Sequence, residues 1–348
     1  MVELRLKFIL EHIEQKFDIK YAKIAPLRAY LRFAALVAAD STAVPDFVLK
    51  HLSWAYDLDF ETNKTDGWTA MELGTLLNRQ SGIEPAEAAA RRRLDERVRQ
   101  LQACGMRPAY IFGTGPSLQL AAERSFADGI TIVCNTIVRD AELWHHLSPA
   151  FLTAGDAIYH FGDNAHARAF RADALLRLAE SNGSTLFVYP SMFDVIVRPE
   201  FRDVEALLIP IPWGEHTDVT VDLTDRFSLP CVENVLNALL LPLACTVSSD
   251  IRLWGFDGRG PTDTGFWANS HKHAYPELMQ SLRDDHPAFF AESIPRGREI
   301  EYAQRVHGDL LEERLTDAEN RGIRFRMLHQ SWTPTLAKRY RATEPESR

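Results

Sequence analysis

Gly113-Thr114-Gly115-Pro116-Ser117-Leu118 follows the apolar run Ala109-Tyr110-Ile111-Phe112. Two glycines after a strand let backbone approach a ligand closely, and a helix starting there offers unpaired N–H groups and the positive end of its dipole. Pro116 suits a first helical turn, and Ser117 can cap it or donate its hydroxyl. A plain tight turn between strand and helix accounts for the same residues. The stretch lacks the full GxGxxG of a dinucleotide fold and the lysine of a Walker loop, so neither NAD nor P-loop chemistry is expected.

Other polar groups stand where apolar runs end. Asn135 follows Thr131-Ile132-Val133-Cys134, and its carboxamide can read a base or sugar edge or cap the next turn. Asp156, in Ala154-Gly155-Asp156-Ala157-Ile158-Tyr159-His160, is catalytic, metal-binding or loop-holding, and His160 reads as a locally satisfied histidine. Asp257, in Trp254-Gly255-Phe256-Asp257-Gly258-Arg259-Gly260, either organises a turn or bonds ligand hydroxyls. The stretch Thr264 to His273 mixes aromatics with His271, Lys272 and His273, as an active-site lid does. A neutral histidine there can act as general base, and Lys272 or Arg259 can stabilise a leaving phosphate. A solvated polar loop is the other reading. A metal shared by the two histidines lacks any matching Cys, Asp or Glu spacing.

The elements that must position these groups alternate after Gly105. Short apolar strands are expected at 109–112, 131–134, 150–153, 185–188, 251–254 and 322–328, with a buried helix from Asn234 to Thr246 feeding the fifth. That alternation implies a Rossmann-like α/β domain over 105–340: a mainly parallel sheet, helices on both faces, ligands at the carboxyl ends of the strands, and a lid at about 258–295. Residues 1–104 read as an all-helical N-terminal region. Leu4, Phe8, Ile9 and Ile13 fall at helical spacing, as do Tyr30, Phe33, Ala34, Val37 and Ala38. Glu84 to Gln102 reads as a solvated helix with Leu94, Val98 and Leu101 as its packed stripe.

The chain has 348 residues, long enough for one large domain plus an appendage. With 46% hydrophobic residues it can bury a sizeable core, and a net charge of −9 argues against a nonspecific nucleic-acid binder. Cys104, Cys134, Cys231 and Cys245 form no CxxC pair, which suits free thiols in a reducing cytoplasm. The N-terminus alternates charged and apolar residues, unlike a signal peptide. The longest apolar run, Val235 to Val247, is about 13 residues against the roughly 20 a spanning helix needs. A soluble cytoplasmic protein is expected, with peripheral membrane association and homo-oligomerisation left open.

In this order, GTGPSL, a strand ending in Cys134-Asn135, a strand followed by Asp156, a helix into Trp254-Gly255-Phe256-Asp257-Gly258 and a His-bearing loop, the chain resembles the bacterial sialyltransferases of glycosyltransferase family 42. It is similar also to the related DUF115 group, which contains archaeal 6-hydroxymethylpterin diphosphokinases and flagellin-modifying motility accessory factors. The resemblance covers roughly residues 107 to 335. It implies a GT-A-like variant of the Rossmann fold and an inverting transfer of a CMP-linked ulosonic acid to a glycan or glycolipid acceptor, as in polysaccharide biosynthesis. Nucleotide contacts then fall to Gly113, Thr114, Gly115, Pro116, Ser117 and Asn135, with Asp156, Glu233 and Asn234 nearby. The family uses a Ser-Gly pair where this chain has Glu233-Asn234, and a tyrosine phosphate ligand follows the Asp where this chain has Gly258. The resemblance makes His271 or His273 the base beside Asp257, and leaves the phosphate to Arg259, Lys272 or Tyr275. That reaction needs no metal or other cofactor. The diphosphokinase branch would use Mg²⁺ on Asp156 and Asp257, and a non-catalytic nucleotide-sugar-binding protein is a third possibility.

Overall fold

The computed structural model describes residues 2–21, 35–38, 51–52, 54–83, 86–260, 270, 272–292, 301 and 303–341. In chain order the elements begin with α1 (Val2–Glu11), β1 (Leu36–Ala38), β2 (Ala55–Asp57), α2 (Asp66–Gln80) and α3 (Glu87–Ala103). Then come β3 (Ala109–Phe112), a 3₁₀ helix (Pro116–Glu123), β4 (Ile130–Cys134), a second 3₁₀ helix (Asn135–Arg139), α4 (Ala141–Leu147), β5 (Phe151–Thr153) and α5 (Ala165–Glu180). Next are β6 (Leu186–Pro190), α6 (Asp194–Glu200), β7 (Leu208–Ile211), a π turn (Leu236–Leu240) running into α7 (Leu241–Val247), and β8 (Asp250–Trp254). The chain closes with α8 (Met279–Asp285), α9 (Pro287–Glu292), a π turn (Gln304–Asp309) entering α10 (Leu310–Asn320), β9 (Arg324–Met327) and α11 (Pro334–Ala337).

Seven strands form one parallel sheet in the order β7-β6-β5-β4-β3-β8-β9. The architecture is Rossmann-like α/β. Side chains alternate between faces, because strand residues point to opposite sides in turn. Tyr110, Phe112, Val133, Leu152 and Phe187 join Ile9, Met71 and Phe170 on one face. Ala109, Ile111, Ile132, Phe151 and Val188 meet Leu94, Leu240, Leu243 and Leu311 on the other. Burial on both faces explains why the strands read as unbroken apolar runs.

Two expectations need correction. The first 104 residues are not all helical: Leu36–Ala38 pairs in parallel with Ala55–Asp57. A three-residue apolar run fits either period, and here tertiary pairing decides it. The second is β7, a seventh strand absent from the sequence reading. Its Pro210 argues against a central strand, but β7 lies at the sheet edge, where a missing N–H costs nothing. Helix α3 also lies within the α/β core, with Ala90, Leu94 and Val98 buried against the sheet, so position 104 falls between a helix and the strands it covers. No helix among the described residues is long and apolar enough to cross a membrane.

Candidate functional site

Chain direction in the sheet reverses at β3. From β3 the chain winds outward through β4, β5, β6 and β7, then returns to place β8 on the other side of β3. The loops leaving β3 and β8 therefore start side by side at one carboxyl edge, at the switch point where open α/β sheets bind ligands. The glycine turn stands on this point. Gly113 N–H donates to Trp254 O at 2.8 Å and Gly115 N–H to Gly255 O at 2.9 Å. A Cβ on Gly115 would stand 2.1 Å from Asp257 Oδ2, and Gly255 has a left-handed φ of 78° with its own Cβ position 2.2 Å from Gly113 O. The glycines thus let two loops touch by backbone.

That contact brings Asp257 onto the start of the 3₁₀ helix. Both Asp257 oxygens lie 3.2 Å from Ser117 N, and Ser117 Oγ is 2.9 Å from Oδ2. The helix start expected to offer free N–H groups to an anion already holds a carboxylate, so phosphate is disfavoured there by like charge. His329 completes the group. Its Nδ1 faces Gln330 O at 2.7 Å, which makes Nδ1 the donor and leaves Nε2 as acceptor. Nε2 receives Gly255 N–H at 2.9 Å and lies 2.8 Å from Ser117 Oγ. Burial holds the imidazole below the ordinary histidine pKa, opposed by the Gln330 bond and the Asp257 charge. Gly255 N–H takes the one Nε2 lone pair, so the Ser117 hydroxyl proton goes to Asp257, and the two carboxylate oxygens of this half-buried cluster keep further lone pairs. Hydroxyl groups of a ligand would complete it.

Beside the turn, Asn135 takes a left-handed φ of 52°, and its Oδ1 is buried without a hydrogen-bond partner. On the other side comes the described part of the lid. Ser270 N–H donates to Thr114 O at 2.8 Å, and Gln119 Nε2 donates to Ser270 Oγ at 3.0 Å. Ser270 Oγ stands 2.7 Å from His273 Nδ1, and His273 Nε2 is 3.3 Å from Asp140 Oδ2. Asp140 is itself fixed as the cap of α4 by Leu143 N–H at 3.0 Å. His273 is fully buried, and that burial lowers its pKa against the pull of Asp140. A neutral imidazole with a carboxylate at one nitrogen and a hydroxyl at the other is the usual layout of an oriented base.

The structure thus brings together Gly113, Thr114, Gly115, Pro116, Ser117, Asp257 and, through Ser270, His273. Other expected residues stand apart. Asp156 accepts Ile158 N–H at 2.8 Å and Tyr159 N–H at 2.7 Å, so it holds its own loop. His160 Nδ1 takes Asp156 N–H at 3.1 Å, and burial lowers its pKa to about 3, the satisfied histidine expected. Asp156 and Asp257 follow strands three places apart, about 14 Å at roughly 4.8 Å per strand, so they do not share a metal ion. Glu233 pairs with Arg305 at 3.1 Å, and Asn234 caps the π turn through Asn237 N–H at 3.0 Å. Tyr275 is a correction: it is buried and gives its hydroxyl to Asp173 at 2.5 Å, with the Arg139 guanidinium over its ring, so it fixes the lid to α5 and holds no phosphate. Lys272 is exposed and Arg259 half-buried. His271 and residues 261–269 lie outside the described residues.

Sequence reasoning passed over Asp140 and His329. Asp140 precedes Ala141-Glu142-Leu143 and looks only like a helix cap. His329 stands just after the last strand, at the same carboxyl edge as the residues that follow β3 and β8. Neither a protein-family model nor any curated protein or solved structure matches the chain.

Proposed function

We propose that the chain is an inverting glycosyltransferase on a GT-A-like variant of the fold, taking a nucleotide-activated sugar, a CMP-linked ulosonic acid, to a glycan or glycolipid acceptor. The observation that carries this is the hydrogen-bonded run Thr114–Ser270–His273, with the Asp140 carboxylate 3.3 Å from the far imidazole nitrogen, which joins an oriented base to the glycine turn. On this reading Ser270 Oγ marks the place an acceptor hydroxyl takes when the lid segment shifts. The acceptor oxygen gives its proton to His273 and attacks the anomeric carbon. The bond from that carbon to the phosphate oxygen breaks, and CMP leaves with the electron pair. Asp257 and Ser117 receive the ribose hydroxyls, Asn135 Oδ1 accepts from the cytosine amino group, and Arg259 and Lys272 meet the phosphate. Positioning and charge stabilisation supply most of the acceleration, because the phosphate is already a good leaving group.

The test is donor hydrolysis, with CMP-N-acetylneuraminic acid as the probe and water as acceptor. His273→Gln is expected to lower turnover by about 10²–10⁴-fold and Asp140→Asn by less, with CMP affinity unchanged. Undiminished turnover in His273→Gln would remove the assignment of the base.

A further inference from the structure

A second cleft opens on the same carboxyl edge, three strands from the glycine turn. It has a volume of about 250 Å³ and lies between the end of α1, the last turns of α2 and the residues that follow β6. His12, Thr75, Asn78, Ser191, Asp194 and Arg198 face it, with Ile83 and Val195 supplying apolar wall. None of the groups argued above belongs to it.

The charges in this cleft are matched within the protein. Asp194 accepts the Tyr189 hydroxyl at 2.7 Å and pairs with Arg198. His12 Nε2 stands 3.0 Å from Glu200 Oε1. Among the described residues only the exposed Glu14 adds a charge at this cleft beyond those pairs, and it is negative, so phosphate or another anion is disfavoured. The uncharged polar groups are less fully used. Thr75 commits its hydroxyl hydrogen to Met71 O at 2.9 Å and keeps oxygen lone pairs. Asn78 Oδ1 is buried without a partner, and the Ser191 hydroxyl makes no hydrogen bond to the described residues. Neutral donors and acceptors beside an apolar wall suit a ring with hydroxyls on its rim and C–H groups on its face.

We propose that this cleft is a saccharide subsite that takes one neutral pyranose unit. Helix α2, held against the sheet by Met71, Leu73 and Leu77, supplies Thr75 and Asn78 to the cleft. The inference stands apart from the nucleotide reading, since it needs no CMP at the glycine turn.

Saturation-transfer difference spectra of the full chain with glucose, galactose and N-acetylglucosamine test it. At least one sugar is expected to receive saturation from the protein, to lose it in Asn78→Leu and in Ser191→Val, and to keep it when CMP is added. The melting temperature of each variant is measured alongside, and Asn78, half-exposed on a helix, provides the substitution that leaves folding intact. Absence of saturation in all three sugars, its survival in both variants, or its displacement by CMP overturns the proposal. A sugar that binds while CMP does not would leave this proposal standing and remove the nucleotide reading.

Discussion

His160, read from the sequence as a locally satisfied histidine, is held within its own loop. Its ring is buried, its Nδ1 is bonded to the Asp156 N–H, and burial lowers its pKa to about 3. The sign follows from linkage: the unfolded chain binds this proton near pH 6.5 and the folded chain only near pH 3. The contribution is present above about pH 6.5 and lost as pH falls towards 3, with a full swing on the order of 5 kcal/mol. Urea unfolding across pH 4–7 should therefore show a steep acid loss that flattens in His160→Gln, and an unchanged slope would contradict the assignment. Ser117, Asp257, Thr114 and Asn135 were legible in the sequence because each follows directly on an apolar strand. His329 was not recognised, although it too follows a strand. Its partner Ser117 is 212 positions away, and only the return of the chain to β8 and β9 brings them together. Asp140 was hidden by an ordinary role, since a helix cap and the partner of a buried imidazole are the same residue seen from two sides.

At the scale of elements, short apolar runs located β3, β4, β5, β6, β8 and β9 to within a few residues. Continuous apolar runs bounded by turns have little alternative in a two-sided parallel sheet. The misses have physical causes: β7 contains a proline that only an edge permits, and β1 is too short for its period to be read. Helix α3 carries the most instructive difference. Its stripe of Leu94 and Val98 was readable, but nothing in the stripe says which surface it meets. Leu94 is fully buried in the same cluster as Ile111 and Leu243, so α3 belongs to the sheet's own cover. Leu94→Ala should lower unfolding free energy by roughly 2–5 kcal/mol in denaturant titrations. A change below about 0.5 kcal/mol, as for an exposed position, would place α3 outside that core.

The whole molecule is organised by one reversal of winding, which brings the loops after β3 and β8 together at the carboxyl edge. Two glycine contacts close that junction, Asp257 makes it rich in acceptors, and Ser270 and Tyr275 are hydrogen-bonded to Thr114 and Asp173. A global charge of −9 is compatible with the proposed nucleoside site, because its proposed contacts are the Asp257 carboxylate, the Ser117 hydroxyl and the Asn135 amide, with cations needed only at the phosphate. The account rests on a nucleotide binding at this junction, and calorimetric titration with CMP tests that most directly. The wild-type chain is expected to bind CMP at one site. Gly115→Ala, which drives a methyl into Asp257, should abolish binding, and Asn135→Gly, which keeps the left-handed backbone and removes the amide, should weaken it by about tenfold at one lost hydrogen bond. No heat of binding in the wild type, or equal affinity in both variants, would contradict the account.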